Sequence, residues 1–171
     1  MKVSQLQKEE YHTFYQTYID KAGDLDLLEG LEFGFKETLE LFESIPNEVY
    51  DYAYAEGKWT IKELLQHIID TERVFAYRAL CFARKERAVL PGFNEDDYAD
   101  CSFANRRTKD DLLEEYVNVR KSTISLFRSF SDDMLFQNGV ASDVKITVRA
   151  IGFILVGHEK HHCMVVAERY L

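Results

Sequence analysis

Proline and cysteine are scarce in this chain of 171 residues, with two of the former and three of the latter. No apolar run approaches the roughly 20 residues that cross a bilayer, and the first residues lack the apolar centre of a signal peptide. A membrane protein or a secreted precursor is therefore not expected. Cys81, Cys101 and Cys163 lie far apart, form no CxxC pair and leave an odd thiol in any disulfide scheme. That excludes a disulfide scaffold and a thiolate zinc cluster, and points to a reduced, cytoplasmic protein. Positive charge is also short: 21 Lys and Arg stand against 30 Asp and Glu, a formal net charge of −9. Such a field repels phosphate backbones and anionic membranes, so neither nucleic acid nor a membrane surface is the expected partner. No glycine-rich phosphate loop and no GxSxG elbow is present.

What remains is a chain that is 46% hydrophobic, enough for one domain with a real core. With few breakers, its apolar residues recur at helical intervals and almost never alternate, which predicts an all-α fold. Core helices are expected over residues 24–44, 60–84, 108–130 and 147–170, preceded by an N-terminal arm over 1–22 that is aromatic but not clearly periodic. Leu28, Leu31, Phe35, Leu39 and Phe42 mark the inner side of the first helix, which must end before Pro46. Thr60 followed by Glu63 has the form of a capping box, and Thr108 followed by Asp110 and Asp111 that of a capped, acidic first turn. Pro91, Gly92 and the acidic residues after them read as a long connection of the kind that often borders a site. Ser131 to Asp133 can begin one more short turn, and Asn138-Gly139 reads as the turn before the last helix. Four such helices suggest a four-helix bundle.

Histidine carries the strongest local signal. Three of the five histidines fall in Gly157-His158-Glu159-Lys160-His161-His162. At 100° per residue His158 and His162 share a helix face one turn apart, and that face continues through Ile151, Leu155 and Val165, so both imidazoles should point inward. His67, on the second helix among Thr60, Leu64, Thr71 and Val74, is the natural third ligand. Three imidazoles buried without partners would each cost on the order of 1–3 kcal/mol, which one shared cation removes. Three ligands leave a coordination position open, as in catalytic rather than closed structural sites. The bland readings are a hydrogen-bonded core histidine at 67 and an accidental spacing at 158 and 162. His158-Glu159-Lys160-His161-His162 also matches HExxH, but the chain stops before a downstream third ligand, so a zinc-protease reading ranks low. Glu159 or Asp70 can serve as base or orienting group. Arg78 reads equally as an ion-pair partner or as the anchor of an anionic substrate. His161 belongs on the rim, His12 is incidental, and Cys163 is a packed thiol.

These segments together resemble the DinB superfamily of small metal-binding four-helix proteins. The resemblance is carried by Glu56-Gly57-Lys58-Trp59-Thr60 through His67, by Thr71-Glu72-Arg73 through Arg84, by Leu90-Pro91-Gly92-Phe93, and by Val148-Arg149-Ala150-Ile151 leading to the histidine cluster. It implies an up-up-down-down bundle with an N-terminal extension, often a homodimer, and a divalent ion, commonly zinc or nickel, in a pocket at one end, held by His67, His158 and His162. It also implies a small-molecule substrate, with the activity open between a metal-dependent hydrolase and a transferase that depends on a low-molecular-weight thiol. The rival expectation is a non-catalytic metal-binding, dimerisation or stress-response module, because no residue pattern identifies a substrate.

Overall fold

Side-chain caps fix where the helices begin. In the computed structural model, which describes residues 1–171, a short helix α1 spans Gln16–Lys21 and the first long helix, α2, spans Leu27–Ser44. α2 starts three residues later than its periodicity suggests because Asp26 closes a capping box with Glu29. Helix α3, Ile61–Ala83, opens on the expected box: Thr60 Oγ1 accepts from the Glu63 amide at 3.2 Å, and the Glu63 carboxylate accepts from the Thr60 amide at 2.8 Å. The long connection that follows contains an eight-residue helix α4, Glu95–Ser102, which Asn94 caps. Thr108 caps α5, Lys109–Arg128, and Ser131 caps the single turn α6, Asp132–Leu135. Thr147 caps α7, Val148–Arg169.

One expectation fails between α6 and α7. Asn138-Gly139 is not a turn; it begins strand β1, Asn138–Ala141, which pairs antiparallel with β2, Val144–Thr147. The reversal sits at Ser142 and Asp143, with φ of 52° and 61°, the two positive angles that a two-residue type I′ hairpin needs. Gly139 serves packing instead: a Cβ there would fall 2.1 Å from Cε1 of Phe82. The fold is thus a helical bundle with one small hairpin. Leu90 of the long connection bonds to that hairpin, its amide donating to the Val140 carbonyl at 2.9 Å.

In the bundle α2 packs on α5 and α7, and α3 packs on the same two, so α2 and α3 stand on one diagonal and α5 and α7 on the other, as an up-up-down-down arrangement requires. Two apolar clusters fill it. One gathers the start of α7, the end of α3 and α1; the other gathers the start of α3, Leu112 to Tyr116 of α5 and Val166. The histidines of α3 and α7 lie on the flank where these two helices pack.

α7 is unusual in that every residue from Val148 to Glu159 is buried. A helix in a four-helix bundle normally keeps a wet face, and here α1 covers it. The approach depends on Gly157, where a Cβ would lie 1.8 Å from the Tyr18 carbonyl oxygen. The arm is tied down further along by a buried ion pair between Glu10 and Arg149, to which Thr147 Oγ1 adds a 2.9 Å hydrogen bond. The first 22 residues, aperiodic in sequence, therefore fold as short turns and one helix laid against the bundle.

Candidate metal centre

His67 sits two turns into α3, His158 and His162 at the middle of α7, and the antiparallel packing of these helices brings all three together. Nε2 of His158 lies 3.0 Å from Nε2 of His67 and 3.1 Å from Nε2 of His162. The three candidate ligand atoms all fall within 4.8 Å of one another. His67 and His158 are 9% and 6% exposed. Burial pushes the His67 imidazole down to about 4, and it holds His158 and His162 well below their usual range, with the neighbouring imidazoles adding to the effect. All three are thus neutral at neutral pH, each with a lone pair to give.

The donors fit a divalent cation. A neutral imidazole has one proton and one free lone pair, so Nε2 of His158 cannot satisfy both neighbours, and His162 Nδ1 is buried with no partner at all. Neutral nitrogen donors converging on a point suit zinc, nickel and similar borderline ions. Two aromatic rings fix the orientation of this group. Trp59 lies against His67 with ring centroids 4.7 Å apart, and Tyr18 of α1 meets His158 edge-on at 5.2 Å.

The histidines form one wall of a cavity of about 410 Å³, a size suited to a small organic molecule. Phe75, Ile154, Leu155 and Phe93 make it largely apolar, and α1 and the residues before it close one side with Tyr15, Tyr18 and His12. His12 is therefore not incidental: it stands on the cavity wall, its Nδ1 accepting from the Phe14 amide at 3.2 Å. Sequence gave no reason to place it, or Tyr18, there, because the arm lacks a period that says which way its side chains turn. His161 is half-buried and edge-on to Tyr18 at 5.7 Å, outside the cavity lining, and the Cys163 thiol is packed against Thr38 Oγ1 at 3.2 Å.

Neither carboxylate expected to act as base or orienting group reaches this wall. Glu159 is turned 100° from His158, into the bundle interior, where it accepts from the Tyr116 hydroxyl and pairs with Arg120 at 2.8 Å. Arg120 also pairs with Glu72 at 2.8 Å. Burial raises Glu159 to about 7. Asp70 faces α5 instead, accepting from Gln66 Nε2 at 3.0 Å and lying 3.7 Å from Arg73. The carboxylate on the cavity lining is Glu95, at the start of α4.

Comparison with known proteins bears on this site. The sequence pattern of the DinB superfamily matches residues 31–166, a span that includes all three histidines. A protein of Oceanobacillus iheyensis provisionally named a metal-dependent hydrolase is 26% identical over 125 residues, 72% of this chain and 71% of its own. Among solved structures, YfiT from Bacillus subtilis, also provisionally described as a metal-dependent hydrolase and with an unusual four-helix bundle topology, superposes with a TM-score of 0.75 at 17% identity over 83% of this chain and 82% of its own. The mycothiol-dependent maleylpyruvate isomerase superposes with a TM-score of 0.66 at 12% identity over 90% of this chain, which spans 62% of that enzyme.

Proposed function

The chain belongs to the DinB superfamily, and from that premise we propose that it is a metal-dependent hydrolase of a small organic substrate, with His67, His158 and His162 as the ligands of a zinc or nickel ion. The observation that carries this reading is the meeting of three neutral imidazole nitrogens on the wall of a cavity that a small molecule can enter. A divalent ion held there supplies Lewis acidity, polarising a substrate oxygen and lowering the pKa of a bound water or thiol. The protein's part is to hold and shield. Trp59 and Tyr18 keep the imidazole planes directed at one point, and the apolar lining excludes bulk water, which strengthens electrostatic interactions inside.

A second reading, transfer of a low-molecular-weight thiol, is favoured by one feature. Glu159 and Asp70 both face away from the cavity, so neither carboxylate next to the histidines in the sequence pattern is placed to take a proton from water, and the carboxylate on the lining is Glu95 of α4. A thiol, with its lower pKa, needs such a base less. Zinc- and nickel-loaded protein assayed on esters and amides, and separately on electrophiles with added thiol, distinguishes the two. Turnover that persists unchanged in H158A removes both. The unbonded state of Cys81, Cys101 and Cys163 supports a cytoplasmic setting, and the homodimer implied by the family is checked by light scattering.

A further inference from the structure

Three arginines of this chain are almost fully buried: Arg120 at 1% exposure, Arg78 at 3% and Arg149 at 5%. A buried guanidinium is costly unless an anion accompanies it. Arg120 has Glu72 and Glu159, and Arg149 has Glu10. Arg78 pairs with no carboxylate of the chain. Its Nη2 donates to the Pro91 carbonyl and to Ser142 Oγ, both at 2.9 Å, and its guanidinium carbon lies 5.0 Å from the centre of the Phe75 ring and 5.9 Å from that of Phe93. Those neutral contacts hold the group in position and leave its charge unmatched. It stands on the wall of the same cavity as the three histidines. The ion-pair role that the sequence allowed for Arg78 is thereby removed, and the anion-anchoring role is left.

We propose that Arg78 is the anchor for the carboxylate of the substrate, and that the cavity takes an amphiphilic carboxylic acid whose reacting group lies at the histidines. This rests on the reading of the triad as the reactive end. The geometry sets the rest of the ligand. His67, Thr71, Phe75 and Arg78 follow one face of α3, and all four line the cavity. The guanidinium leans back over Phe75, eight residues beyond His67, so head group and reacting centre are separated by roughly 12 Å of helix. Phe75, Ile154 and Leu155 along this path suit an apolar or aromatic body. One guanidinium, with no lysine or second arginine on the lining of this cavity, matches a single negative charge better than a phosphate dianion. Glu95, the other charged group on the lining, is exposed and favours a substrate whose remaining parts are uncharged or cationic.

The test uses the full chain, with and without zinc, and two probes, 4-phenylbutyrate and its uncharged counterpart 4-phenylbutyramide, titrated calorimetrically. The acid is expected to bind at least tenfold more tightly than the amide even without metal, when no ion at the triad can hold the carboxylate. Arg78→Met should erase that preference, Arg78→Lys should restore part of it, and both should bind zinc as the unmodified protein does. Equal binding of acid and amide overturns the proposal, as does binding of neither, and those two comparisons need no variant that has to fold. A preference for the acid that appears only with zinc and survives in R78M would place the carboxylate on the ion and also overturn it. Failure to bind zinc would instead sink the metal reading while leaving the metal-free acid preference to be judged on its own.

Discussion

His158 and Glu159 are neighbours in the chain, yet they belong to two buried polar groups built in opposite ways. Glu159 joins Glu72, Tyr116 and Arg120, a set in which opposite charges meet inside the protein. His158 joins His67 and His162, a set of like donors that cannot complete one another. The first is closed and holds α3, α5 and α7 together at mid-height. The second is open and lies against a cavity, with His162 Nδ1 left without a partner. A buried group whose charges are balanced within the chain is architecture, and one that gathers only lone-pair donors is an invitation to something from outside. Arg78 and Arg120 repeat the contrast, the one without a carboxylate and the other between two.

The comparison can be broken in three ways. Arg120→Met should have the largest effect, because removing one partner leaves two buried carboxylates uncompensated; a loss of about 3–5 kcal/mol in urea denaturation is expected. The set is not ideally bonded, since Arg120 Nε and Nη1, both Glu72 carboxylate oxygens and Glu159 Oε2 lack hydrogen-bond partners, so its value lies in not being broken rather than in net stabilisation. A variant as stable as the original protein would mean that this group is no more closed than the triad. Next in size, zinc at one hundred times its dissociation constant should stabilise the unmodified chain by about 2.7 kcal/mol, and His158→Ala should abolish that gain. Melting curves with zinc and with chelator check this, and a gain retained in H158A would show that the ion sits elsewhere.

The smallest effect is the pH dependence of the metal-free protein. His67 is held at about 4 when folded and near its ordinary 6.5 when unfolded. Above 6.5 it is neutral in both states and contributes nothing. As pH falls from 6.5 towards 4 the unfolded chain takes up a proton that the folded one refuses, so stability drops, by about 1 kcal/mol between pH 7.5 and 5.5 for this one group. Glu159, raised to about 7 in the fold, acts in the opposite sense over the same range, so the contribution of His67 is read as the difference in denaturation midpoint between the unmodified protein and His67→Ala. A difference that does not change with pH would contradict the burial assigned to His67.

The parts of this structure legible in sequence are those set by short-range rules. The caps at Thr60 and Thr108 depend on amides three residues away, and the pairing of His158 with His162 depends on one helical turn. His67 could be joined to them because its helix face is also mixed and inward. Glu159 could not be placed, since α7 is buried on all sides from Val148 to Glu159 and offers no polar-outward face by which to orient it. Asn138-Gly139 misled because the commonest hairpin signal was here serving the close approach of Phe82. The solitude of Arg78 was also invisible, because a missing partner is a property of the whole fold.

The Gly157 contact beneath Tyr18 has a consequence for how specificity is distributed. The groups that hold an ion come from the bundle, whereas part of the lining that a guest would touch comes from a strap laid over it. Rewriting the strap around Tyr15 and Tyr18 would change which guests are welcomed while leaving the reactive end alone, so selectivity and reactivity occupy separable stretches of the same polypeptide.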